Sequence, residues 1–242
     1  MNWKVILTKP FSNNLLNVIA FAVMTLILVG CGPQWVKMTP MRNDAQLIQS
    51  ENALVLFSLK MEHPVRPTNQ PEAVAVYLFT EPEGKSIYCP IDKDARIEGP
   101  DGSSYLLRIP LPAGQYNLRV AVGYNGNFVV TGYGMMPIVG DFEVQPGTVT
   151  YLGRVEGHTR ERKEGEFRAG PLAPLIDQAA RGWSGATWDV VIKDAGDSDL
   201  PSFRTTFPAL NGTNIVKQIL PPFDRQKAQT IWEKSVNGFL TY

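Results

Sequence analysis

Three hydrophobic patterns follow one another along the chain. The first is an apolar run from Leu15 to Gly30, broken only by Asn17 and Thr25 and preceded by Lys4 and Lys9. It is shorter than the roughly 20 apolar residues that cross a bilayer, and no second such run follows. A basic start, an apolar centre and small residues at the end predict an export signal rather than a spanning helix. The second pattern is short and strand-like. Ala53–Leu59 and Ala73–Phe79 are near-continuous apolar runs, as in strands covered on both faces, although period alone does not separate them from short buried helices. Ser86–Ile91 follows, and Gly99-Pro100-Asp101-Gly102 has the chemistry of a turn.

The clearest alternation is Tyr116, Leu118, Val120, Val122 and Tyr124, which predicts a strand over 114–124 with those side chains on the core. Asn125-Gly126 predicts a two-residue hairpin turn, with the return strand near Phe128–Thr131. Phe142–Val144 and Thr148–Val155 are expected to pair across Pro146-Gly147, with Val149, Tyr151 and Val155 on one side. Trp188, Val190 and Ile192 alternate again. The third pattern is helical. Leu172, Leu175, Ile176, Ala179 and Ala180 share a face before Gly182. Leu200, Phe203 and Phe207 predict a short helix begun by Ser198 or Asp199 and stopped by Pro208. Ile215, Val216, Ile219 and Leu220 suggest one or two more turns. Asp224 caps a last helix carrying Ala228, Ile231, Trp232 and Val236 and ended by Gly238.

Together these predict a mainly β chain: an antiparallel β-sandwich over 53–195, with helices of 196–242 packed on it. Gly32–Asn52 is polar, contains Pro33 and Pro40 and lacks periodicity, so 31–52 reads as a flexible tether. Within it Trp35, Val36 and Met38 are apolar enough to dip into a membrane interface.

The end of the first run, Leu28-Val29-Gly30-Cys31, resembles the lipobox of bacterial lipoproteins. That resemblance implies removal of 1–30, lipidation of the Cys31 thiol and anchoring through several acyl chains, palmitate among them. One chain holds reversibly and two or more hold stably. Gly32, rather than Asp, follows the cysteine, which in such families points to the outer membrane and its periplasmic face. Leu111-Pro-Ala-Gly-Gln-Tyr-Asn-Leu-Arg-Val120 resembles the entry strand of transthyretin-like and carboxypeptidase-regulatory-like sandwiches, a family kinship relevant also to immunoglobulin-like folds. It implies a fold, not an activity.

Cleavage would leave 212 residues with 21 basic and 23 acidic side chains, a charge of −2. That balance gives no electrostatic grip on nucleic acid. With Cys31 lipidated, Cys89 stands alone, as a buried inert thiol or as half of an intermolecular disulfide.

Catalytic chemistry is sparse. His63 and His158 lack partners at useful spacing, and both read as structural or solvated. Gly182-Trp183-Ser184-Gly185-Ala186 lacks the final glycine of a nucleophile elbow and runs helix-to-strand rather than strand-to-helix. Asp194, Asp197 and Asp199 are expected to favour the start of the following helix, and Asp92 and Asp94 to sit in a solvated turn. No cofactor or metal is expected. The charged stretch His158–Arg168 predicts an exposed hairpin, where Arg160, Arg162 and Lys163 could meet a partner. Tyr133, Met135 and Met136, in a glycine-rich stretch, form a second candidate surface. Two functions follow: a non-enzymatic envelope module binding a protein or polysaccharide, or a tethered hydrolase using a carboxylate pair drawn from Glu98, Asp141, Asp189 and Asp194.

Overall fold

In the computed structural model the chain is described over residues 33–39, 52–64, 70–99, 102–126, 131–170, 183–235 and 239–240. The apolar run, Cys31, the expected turn at 100–101 and the expected helix at 172–180 lie outside them. Among the described residues the strands are β1 (Gln34–Trp35), β2 (Asn52–Glu62), β3 (Glu72–Glu81), β4 (Ser86–Pro90), β5 (Arg96–Gly99) and β6 (Gly102–Pro112). They continue with β7 (Gly114–Gly126), β8 (Thr131–Val144), β9 (Val149–Glu161), β10 (Ala186–Lys193) and β11 (Ile215–Lys217). Two helices are α1 (Gly196–Thr206) and α2 (Arg225–Lys234).

The fold is mainly β and sandwich-like, built of two open sheets. One has the order β1-β4-β3-β7-β8, the other β10-β9-β2-β6-β5, with β11 added on β9. Pairing is mixed rather than wholly antiparallel. β2 and β11 both run parallel to β9, and β1 runs parallel to β4. Hydrophobic pattern sets which face a strand buries but not the direction of its partner, so this was not readable from the alternation.

β2 explains its own sequence. Val55, Phe57 and Leu59 point into the core between the sheets, while Leu54 and Leu56 lie in a second cluster with Tyr151, Phe203 and Phe207 under α1. Both faces are covered, so the run is continuously apolar.

Bulges correct the expected parities. In β7 the register slips between Leu118 and Val120 against both neighbours. Tyr116, Leu118 and Val120 are buried as expected, but beyond the slip Ala121, Gly123 and Asn125 are buried and Val122 and Tyr124 are only half-buried. One extra residue exchanges the two faces. Gly123 now faces the other sheet so closely that a Cβ would meet the Met61 Cε at 2.7 Å. In β9, Gly153 adopts φ +101° at a second slip. Val149 and Tyr151 therefore lie under α1, whereas Leu152 and Val155 enter the core between the sheets.

Other boundaries also move. β7 and β8 pair out to Gly126 and Thr131, so Asn125 and Gly126 belong to β7 rather than to a two-residue turn, and the part of the expected return strand at 128–130 lies outside the described residues. β8 is one strand of 14 residues that absorbs the glycine-rich stretch holding Tyr133, Met135 and Met136. It does not pair with β9, because the turn at Pro146-Gly147 carries the chain from one sheet to the other. Ile215–Leu220 supplies the strand β11 rather than a helix. Such a short apolar run fits either element, and the open edge of β9 decides.

Two terminal segments complete the body. Gln34–Thr39, part of the expected tether, lies on the sandwich: Val36 N–H donates to Tyr88 O at 3.0 Å, and Arg108 Nε donates to Thr39 O at 2.8 Å. α2, with Asp224 accepting from Lys227 N–H as its cap, bridges the edges of both sheets. Lys227 reaches Asp141 on β8, and Arg225 reaches Asp189 and the Trp188 carbonyl on β10. Its buried contact is Ala228, with Ile231 and Trp232 half-buried against the core.

Candidate functional site

A cleft of about 660 Å³ lies where β7, β8 and α2 meet. Its wall follows from pairing, since Asn117 stands directly opposite Asp141 in the β7–β8 ladder. Arg119 Nε donates to Asn117 Oδ1 at 2.8 Å, Asn117 Nδ2 donates to Asp141 Oδ1, and Lys227 Nζ donates to Asp141 Oδ2 at 2.7 Å. The Arg119 guanidinium rests 4.6 Å above the Phe79 ring. Asn117 and Arg119 are buried supports, while the Asp141 and Lys227 side chains remain 59 % and 42 % exposed.

Burial alone would raise the Asp141 pKa, but the hydrogen bonds from Lys227 and Asn117 outweigh it and hold the pKa low. Asp141 is thus a fixed anionic acceptor beside a fixed ammonium donor. Tyr116 and Phe142, ring centroids 5.7 Å apart, line the same cleft, with Gln115, Glu81 and Glu143 around it. Apolar surface with a few placed polar groups is the usual composition of a ligand site.

A smaller groove of about 270 Å³ lies between β2, β6 and α1, with Lys60, Ser104 and Glu156 on its walls. Behind it sits Asp199, 2 % exposed. Its carboxylate accepts from Ser58 Oγ at 2.5 Å and Tyr151 OH at 2.6 Å and pairs with Arg154. Burial, then the bond to Asp199, raises the Tyr151 pKa far above its ordinary value. Asp197 and Asp199 lie in the first turn of α1, as expected of helix-start acids, but Asp199 is also buried and bonded to both β2 and β9. Asp194, just before the helix, accepts from Gly196 N–H at 2.8 Å and pairs with Lys217, and Asp197 is exposed.

The charged stretch His158–Arg168 is not a free hairpin. Its first part is the end of β9, and the following turn is clasped by Glu166. Arg160 holds Glu166 through two nitrogens and reaches Asp189 at 3.0 Å. Arg162 donates to the Glu166 carbonyl at 2.9 Å, and Lys163 alone of the three is fully exposed. The hydrogen bond from Arg160 pulls the Glu166 pKa down to about 2, against the opposing effect of burial. Alternating charge here marks ion pairs within the molecule. Of the second candidate surface, Tyr133 is 46 % exposed, Met135 half-buried, and Met136 fully buried against β9.

Cys89 is completely buried, and burial pushes its thiol up to about 12, which leaves it inert and out of reach of a second chain. His63 is buried with its ring 5.9 Å from that of Trp183, and His158 pairs with Glu62 at 2.5 Å. Ser184 is buried in the turn before β10. Asp92, expected to be solvated, accepts from buried Arg108 and from Ala95 N–H. The acids considered for a hydrolase lie on separate ion pairs: Glu98 with Arg96, Asp141 with Lys227, Asp189 with Arg160 and Arg225, Asp194 with Lys217. Among the described residues no three His, Cys, Asp or Glu side chains gather as a metal site, and no helix is long and apolar enough to cross a membrane.

No known family model matches this chain, and no curated protein does. Among solved structures it is similar to a leucine-rich repeat protein from Bacteroides thetaiotaomicron, at 15% identity and a TM-score of 0.30. The similarity covers 43% of this chain and 13% of that one.

Proposed function

We propose that this protein is a lipid-anchored bacterial envelope lipoprotein, attached through Cys31 at the periplasmic face of the outer membrane, whose sandwich binds a polar envelope ligand, a polysaccharide, in the cleft beside α2. The observation that carries the binding reading is the Arg119–Asn117–Asp141–Lys227 row next to Tyr116 and Phe142. Adjacent sugar hydroxyls are at once donors and acceptors, and a carboxylate beside an ammonium meets both needs. Tyr116 and Phe142, both largely buried, supply the apolar backing of the cleft rather than an open stacking face. Kinship with transthyretin-like or immunoglobulin-like sandwiches is supported by the segment 111–120, where Gly114 opens β7 and Tyr116 and Leu118 are buried. The parallel β2–β9 pair departs from a purely antiparallel module.

The hydrolase reading has one supporting observation, that Glu81 and Glu143 share the cleft with Asp141. A general acid needs a raised pKa, and that of Asp141 is lowered. Affinity electrophoresis against soluble envelope polysaccharides tests the proposal. The wild type should be retarded, and Gln115→Ala with Lys227→Met should weaken binding by about tenfold or more, some 1.4 kcal/mol. Undiminished binding in the double variant removes the cleft from the account, and new reducing ends in the polysaccharide establish the hydrolase instead.

A further inference from the structure

The fold begins close behind the expected lipid. Trp35 is only four positions beyond Cys31, and an extended chain of that length spans at most about 14 Å. Trp35 is itself fixed, because β1 is paired with β4 and Val36 N–H donates to Tyr88 O. It is also the most exposed of the large apolar side chains described, at 69 %. Of its two apolar neighbours in sequence, Met38 is buried and Val36 half-buried, so of the three Trp35 alone projects.

Trp35 does not stand by itself. It lies opposite Tyr88, and Tyr88 lies opposite Tyr77, so the three rings form a row across β1, β4 and β3. Their centroids are 4.6 and 5.1 Å apart. Residues opposite one another in a ladder share a face, and Tyr77 is opposite Val120 on β7, which is itself fully buried, so the face is open on either side of that point rather than at it. Two and four positions along that strand pair, Val122 meets Met135 and Tyr124 meets Tyr133. The same sheet face therefore carries a second aromatic pair, with Tyr133 46 % exposed.

We infer that this face of the β1-β4-β3-β7-β8 sheet lies on the membrane, with the Trp35–Tyr88–Tyr77 row at the level of the lipid headgroups. The inference rests on the proposed lipidation of Cys31. Trp and Tyr, with an apolar body and a polar edge, favour that level of a bilayer. A charge of −2 on the mature chain supplies no attraction to anionic lipid, so contact falls to such side chains. The anchor then does more than tether: a short, hydrogen-bonded lead fixes which face of the sandwich meets the bilayer.

The test uses the processed full-length protein reconstituted in phosphatidylethanolamine–phosphatidylglycerol vesicles, with and without bromine high on the acyl chains. Trp183 and Trp188 are fully buried, and both proteins compared carry Trp232→Phe at the half-buried position on α2, so quenching by bromine reads chiefly Trp35. The expected result is quenching with Trp35 in place that disappears in Trp35→Phe, a variant whose exposed position leaves folding intact. Equal quenching in both, none in either, or a response of Trp35 to soluble polysaccharide but not to brominated lipid overturns the inference. The mass of Cys31 is read on the same sample. Lipidated protein without quenching overturns this inference alone, and an unmodified Cys31 overturns the anchor and the inference together.

Discussion

The Tyr151 hydroxyl donates to the Asp199 carboxylate at 2.6 Å, joining the central strand β9 to α1 across 48 positions of sequence. Ser58 on β2 and Arg154 on β9 complete the environment of that carboxylate. A charged group this deep is tolerable only while its partners remain, because desolvation is offset by those bonds.

Asp199→Ala should accordingly cost about 3–5 kcal/mol, since it strands Arg154 and two hydroxyls. Tyr151→Phe removes a single bond and should cost about 1–3 kcal/mol. Urea unfolding of both variants gives the comparison. Equal and small losses would mean that α1 is held by Phe203 and Phe207 alone.

The bulge in β7 makes a second prediction. Leu118→Ala should cost about 2–5 kcal/mol. Val122→Ala, two positions beyond the parity change, should cost about 1 kcal/mol or less. An unbroken alternation would instead make both substitutions large, so the ratio measures the register directly.

Acid should loosen the turn after β9. Glu166 has a folded pKa of about 2 against an ordinary 4.5, because Arg160 donates to it through two nitrogens and Lys163 N–H adds a third bond. A depressed carboxylate pKa contributes stability above 4.5 and loses it as pH falls toward 2. Stability of the wild type should therefore decline through that window, and Glu166→Gln should flatten this part of the decline. Circular dichroism melts between pH 6 and pH 2 provide the measurement. Identical slopes would place the acid sensitivity elsewhere, Asp141 being the next carboxylate held low by its partners.

Local pattern revealed those elements whose faces differ or are both covered. The Ala53–Leu59 run, the 188–192 alternation and the helix carrying Phe203 and Phe207 are found where spacing put them. Ile215–Leu220 reads as helical turns in sequence but forms a strand, because three to six apolar residues satisfy a strand edge as well as a helical turn. The cleft was less legible. Asn117 and Asp141 are 24 positions apart, and Lys227 is 86 from Asp141, so only the hairpin register and the docking of α2 unite them. The acidic cluster was legible in part: Asp197 and Asp199 do lie in the first turn of α1, while the partners of Asp199 at 58, 151 and 154, far away in sequence, give it a buried role that proximity did not reveal. Arg160 read as a surface charge because its acceptors, Glu166 and Asp189, are set by a turn and by β10.

The central claim is that the protein works from a lipid at Cys31, and intact-mass analysis of the mature chain extracted from its own membranes tests it most directly. The account predicts a chain of 212 residues beginning at Cys31, heavier than its amino-acid mass by a diacylglyceryl group and an amide-linked acyl chain. Cys31→Ser should leave the 242-residue precursor uncleaved. A native chain that retains Met1, or one that begins at Cys31 with no added mass, would contradict it.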